Sequence, residues 1–300
     1  MTTVPLYRFG VSEFTTWPWS FEQDVENYAR LGVDTIEVCE FKLDQKRIAE
    51  QLALASQHGL AVSSVQPAVR TLYPSQSQPE PKEVRERVAR FRETIESCAL
   101  LAPGAPFVCN TGIPPDGNIQ QVFETATREY QGLADCARAH GARVALEPLN
   151  AAIMNVESAI WTLAQAMEIV AAVDRHNFGV CLDIWNIWQN ADILTEITRC
   201  GDRVFVVQLS DWRLPRSSQD RLIPGQGAIP LPLFLRAIHE SGYRGAYAVE
   251  IFSGGVADSL WQTDLSEVIT TSRAGLDAAW REAFSAPSED ANNGEVRTNE

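Results

Sequence analysis

Four acid or amide side chains, Glu147, Asp183, Gln208 and Glu250, each end a short apolar run: ARVALE, FGVCLD, VFVVQ and AYAVE. Runs so rich in Val, Leu and Ala belong in a core, and ending one on a carboxylate incurs a desolvation cost that a cation or another partner must offset. A single ending of this kind is equally readable as a buried ion pair or a helix N-cap. Four in series, each separated by room for a strand and a helix, fall on one rim if the strands are parallel and close into a barrel. Oxygen ligands converging there suit a divalent metal ion.

The elements that must hold these groups follow from periodicity and chain breakers. Apolar strand patterns fall at 7–12, 33–39, 60–66, 106–110, 143–147, 178–183, 204–208 and 246–251. Helical patterns lie between them, among them 21–31, 44–58, 82–101, 119–140, 156–173 and 231–241. Several stop at a glycine just before the next strand, as at Gly32, Gly59, Gly141 and Gly201, where a left-handed C-cap lets the chain turn back. Eight strands alternating with helices predict an α/β fold, a (β/α)8 barrel in a single domain over 1–284. The proline-rich stretch 72–81 and the loop 111–117 follow the third and fourth strands, which puts them on the C-terminal face. The polar segment 285–300 reads as a disordered tail.

A formal net charge of −14 and a pI near 4.8 oppose binding to nucleic acid or to an anionic membrane, so a small molecule is the expected partner. The six cysteines form no CxxC pair, and several sit inside apolar patterns, which reads as free thiols in a reducing compartment. MTTVPLYRFG has neither a basic nor an apolar leader segment, and no run nears the ~20 apolar residues that span a bilayer. A cytoplasmic location is the expectation.

Five segments carry a resemblance: ALEPLN at 145–150, CLDIWN at 181–186, VVQLSDWR at 206–213, RLIPGQG at 221–227 and SGYRGAYAVEIF at 241–252. In order and spacing they resemble the sugar phosphate isomerase/epimerase family, the xylose isomerase-like TIM barrels, over essentially 7–283. The resemblance implies that Glu147, Asp183, Gln208 and Glu250 are metal ligands. Many members have histidine where Gln208 stands. With the amide carbonyl facing the ion the set is all oxygen, which favours Mn2+ or Mg2+ over Zn2+. The family often shows Asp-x-x-His after the sixth strand, whereas this chain has Asn186, which can hydrogen-bond a hydroxyl but cannot carry a proton near neutral pH. Arg221 matches a family arginine that contacts a substrate oxygen, and Asp211 is expected to touch the metal or its ligands. Relatives often form dimers or tetramers, so a homo-oligomer is compatible with the resemblance, although no interface stripe is visible.

Substrate contacts are expected from Asn186, Arg221, Asp211, Trp185, Asn110 and Gln66. Further polar candidates at strand ends are Glu13, Glu40, Asn150 and Asn155. Phe14, Trp17, Trp19, Trp188 and Trp212 can add an apolar wall against a sugar's C–H face. The implied activity is isomerisation or epimerisation of a small polyhydroxy carbonyl compound through an enediolate, with Glu147 and Glu250 as the acid/base pair. Two alternatives stay open: a metal-dependent dehydratase or lyase on a keto-polyol, and a barrel that binds sugar without turnover. Endonuclease-like DNA repair is disfavoured by the acidic charge and by the presence of only four histidines.

Overall fold

The computed structural model describes residues 4–114 and 116–285; the tail expected at 285–300, apart from Ser285, lies outside the described residues. Eight strands run in parallel: β1 Arg8–Ser12, β2 Thr35–Cys39, β3 Ala61–Gln66, β4 Pro106–Cys109, β5 Arg143–Leu146, β6 Phe178–Asp183, β7 Val204–Leu209 and β8 Ala246–Val249. Each pairs with its sequence neighbours, and β8 pairs with β1 with Val249 opposite Val11, so the sheet closes. Every expected strand is present.

The helices are α1 Phe21–Arg30, α2 Ile48–Gln57, α3 Val84–Cys98, α4 Ile119–Ala139, α5 Leu163–Val173, α6 Ile184–Ile187, α7 Ile193–Cys200, α8 Leu231–Glu240 and α9 Leu265–Phe284. Local chemistry sets their ends. Ser20 and Thr162 each form a capping box with the glutamine three residues on, satisfying amides that the first turn leaves free. Gly141, at φ 68°, reverses the chain between α4 and β5. The helix expected over 156–173 begins only at Leu163, because Ser158 is drawn into bridges with Gly112 and Met154 and Thr162 then caps the new start. Helix α9 packs behind the β8–β1 seam, where Tyr7 Oη donates to Asp277 at 2.6 Å and Trp280 Nε1 donates to the Pro5 carbonyl at 2.8 Å.

Strand periodicity positions the site. Side chains two residues apart share a face of a strand, so Ala145, Cys181 and Val206 lie one step beneath Glu147, Asp183 and Gln208. With Val108 and Phe205 they form a small buried cluster, an apolar floor under the polar rim. All six cysteines are free. Among the described residues no helix is long and apolar enough to cross a membrane.

Candidate active site

Asp183 is the last residue of β6, and Glu147 and Glu250 stand one position beyond β5 and β8. All three are buried, and each offers a carboxylate oxygen within 4.8 Å of the other two. Amides hold them in place. Asn186 Nδ2 donates to Glu147 Oε1 at 2.9 Å and to Asp183 Oδ2 at 2.7 Å, while its own oxygen accepts the Asn150 amide. Asn110 Nδ2 donates to Glu147 Oε2 at 3.2 Å. Asp183 also accepts the Trp185 amide, so the carboxylate that ends β6 begins α6.

Among the described residues Arg221 is the one cation in direct contact with the trio. Its Nη2 lies 2.8 Å from Asp183 Oδ2, its Nη1 lies 3.0 Å from Glu250 Oε2, and its guanidinium sits 4.8 Å from the ring centres of both Trp185 and Phe252. One arginine does not neutralise three buried acids. Burial, reinforced by the charge of Asp183, pushes the Glu147 carboxyl up to about 7. Burial likewise raises Asp183 and lifts Glu250 well above the carboxylate range, with Arg221 opposing in both cases. Such crowding of buried acids favours uptake of a proton or a cation.

Gln208 departs from the expected pose. Its amide nitrogen donates to Glu37 Oε1 and to Glu250 Oε1, both at 2.8 Å, and its carbonyl accepts the Cys181 thiol at 3.0 Å rather than facing the three acids. Glu37, buried on β2 and also accepting from Ser64, is the residue that sequence reading missed; its signal is an acid inside the apolar run TIEVC.

Asp211 requires a correction. Its carboxylate accepts the backbone amides of Trp212, Gly225 and Ile229, so it organises the loop after β7 instead of reaching metal or substrate. Gly227 packs so closely on Asp211 that a Cβ would have no room, which explains the PGQG turn. Asn155 is exposed, and Glu40 is occupied by the Ala68 amide and the Thr94 hydroxyl. Trp188 and Trp212 pack on each other at 5.1 Å and Trp19 leans on the core; none of the three lines the cavity.

The cavity beside the acids has a volume of about 130 Å³, and its wall includes Gln66, Asn110, Glu147, Trp185, Asn186, Arg221 and Glu250. Gln66 Oε1, Trp185 Nε1 and Arg221 Nε are buried without partners among the described residues, polar atoms that a hydroxylated ligand can satisfy.

A family model described as xylose isomerase-like TIM barrel matches residues 25–276. The chain belongs to this family. An inosose isomerase of Bacillus velezensis is similar at 25% identity over 241 residues, 78% of this chain and 84% of that protein. Matches to further inosose isomerases span 60–66% of those proteins' length. A probable ketose 3-epimerase of Synechocystis is 22% identical across 84% of this chain and 87% of its own. Among solved structures, the IolI protein with a bound zinc atom superposes with a TM-score of 0.77 at 22% identity, covering 93% of this chain and all of that one. This family member thus has enzymes as relatives and carries its own buried acid trio where the barrel's C-terminal rim opens.

Proposed function

We propose that this xylose isomerase-like barrel is an isomerase or epimerase of a small sugar-like polyhydroxy carbonyl compound and that it works with a divalent metal ion. The observation that carries the reading is the convergence of Glu147, Asp183 and Glu250 within 4.8 Å beside a cavity whose polar atoms lack partners. The donor set fits a cation: three buried carboxylate oxygens, oriented by Asn186 and Asn110, in excess of the one arginine that faces them. Gln208 would join as a fourth ligand by turning its amide away from Cys181. Oxygen donors alone favour Mn2+ or Mg2+ over Zn2+, which elemental analysis of the purified protein tests.

When bound, the ion would supply Lewis acidity, making a C–H beside a carbonyl more acidic. The chain's own residues move the proton. Glu147, held at the cavity wall by the Asn186 and Asn110 amides, is placed to take it and give it up. Glu250 comes from a strand three positions further round the barrel, so it can return the proton to the other face for epimerisation or to the neighbouring carbon for isomerisation. Asn186 cannot share this work; it orients Glu147 and Asp183. Arg221 and Gln66 hold substrate oxygens, and Trp185 closes the cavity to water.

Incubating the Mn2+-loaded protein with a panel of ketoses in D2O tests the reading. Deuterium at the carbon next to the carbonyl, without loss of water, is the expected result. Loss of a β-hydroxyl would assign the chain to the lyases, and exchange that survives both Glu147→Gln and Glu250→Gln would overturn the acid/base roles of these two glutamates.

A further inference from the structure

The inner cavity does not end at the acids. It shares Phe14, Arg70, Gln78, Gln219 and Phe252 with a second, more open groove of about 330 Å³, whose far wall is made by Trp17, Phe41 and Trp261. These rings form a continuous aromatic surface. Trp17 stacks on Phe14 at 5.8 Å and on Trp261 at 6.3 Å, meets Phe41 edge-on at 6.4 Å, and Phe14 in turn packs on Phe252 at 4.6 Å. Trp261 is pinned by its Nε1, which donates to the Phe14 carbonyl at 3.1 Å. Trp17 and Phe41 nonetheless remain 41% and 49% exposed, an apolar cost that a binding role explains.

We infer that the groove is a second subsite, and that the substrate is a ketose carrying another ring rather than a free small sugar. Three observations agree. At about 130 Å³ the inner cavity alone falls below the roughly 300 Å³ at which small-molecule pockets begin, and the groove supplies the missing space. At the junction, Arg70 Nη1 and Gln78 Nε2 are buried donors with no partner among the described residues, which calls for an acceptor such as the oxygen linking two rings. The outer wall offers flat indole and phenyl faces, the surface on which a pyranose or an aryl ring stacks through its apolar face. The inference rests on the isomerase reading only for where the reacting carbon sits.

The test uses the full chain loaded with Mn2+ and three ketoses with a reducing keto group: fructose, isomaltulose, which adds a glucopyranose at O6, and fructose with a benzyl ether at the same oxygen. The kcat/KM for solvent deuterium exchange should be at least about tenfold higher for a ring-bearing ketose than for fructose, and Trp17→Ala should bring that ratio close to one. Preference between the two ring-bearing probes tells sugar from aryl. Equal values for all three ketoses, or a ratio unchanged in Trp17→Ala, overturns the inference. Fluorescence titration separates its failure from failure of the isomerase reading: quenching by ring-bearing probes but not fructose, lost in Trp17→Ala, supports the groove even where no ketose exchanges. No ring-dependent quenching overturns it. So does a Trp17→Ala protein that turns from dimer to monomer in light scattering, because the aromatic patch is then a contact between copies.

Discussion

Asp220 and Arg221 are adjacent in the chain and belong to opposite electrostatic worlds. Asp220 accepts from Arg213 and from Arg216, at 2.7 Å for the latter's Nη2; both arginines also reach Asp258, and although Asp220 itself is buried, the two arginines and Asp258 stand partly in solvent. Hydrogen bonds from Arg216 hold the Asp220 and Asp258 carboxyls below the ordinary range. Arg221 turns inward to Asp183 and Glu250, where burial drives both carboxyls upward despite the arginine. The same residue types thus give opposite shifts. In the outer cluster two cations serve two acids and water screens the remainder; in the inner one a single cation faces three acids from which water is excluded. Only the inner arrangement leaves a carboxyl able to exchange a proton near pH 7.

The sharpest way to break the comparison is to remove the inner acids. Glu147→Gln or Glu250→Gln should cut solvent deuterium exchange by roughly 10²- to 10⁴-fold. Circular dichroism should show the barrel intact, since the amide is nearly isosteric. Next comes Arg221→Ala, which leaves Asp183 and Glu250 without their cation and should destabilise the metal-free protein by about 3 kcal/mol in urea unfolding, with Mn2+ recovering much of the loss.

The pH dependence follows from Glu147. Its carboxyl titrates near 7 when folded and near 4.5 otherwise, so the folded state binds more protons between these values. The Glu147 contribution to the stability of the metal-free protein should therefore be full below about pH 4.5 and be lost as pH rises through 7, by on the order of 3 kcal/mol, read from melting curves after chelation. Cation affinity should run the other way, strengthening as pH rises through 7 and releasing protons that calorimetry in two buffers can count. The smallest effect belongs to the outer cluster. Asp258→Ala, which leaves both arginines paired with Asp220, should change the melting temperature little, and that little should vanish in high salt; a large, salt-insensitive loss would erase the contrast between the clusters.

Much of this molecule is legible from sequence because its signals are local. All eight strands show as short apolar runs, and glycine and capping residues mark many helix ends. The convergence of Glu147, Asp183 and Glu250 follows from strand order once the sheet is parallel and closed. The start of α5 was not legible, because Ser158 is captured by Gly112 on a different loop. Nor was the role of Asp211, whose partners Gly225 and Ile229 lie 14 and 18 residues away on a turn that wraps back over it.

What the sequence determined by itself is the alternation, the barrel and the rim acids, since periodicity and the cost of burying a charge act on each segment alone. What tertiary structure decided is which partner claims each polar group. Gln208 meets Glu37 across 171 residues of chain, and the amide's direction, the arginine's choice of acids and the aromatic groove exist only after distant loops are brought together. Hydrogen bonds and desolvation depend on where side chains end up in space, and no local pattern encodes that.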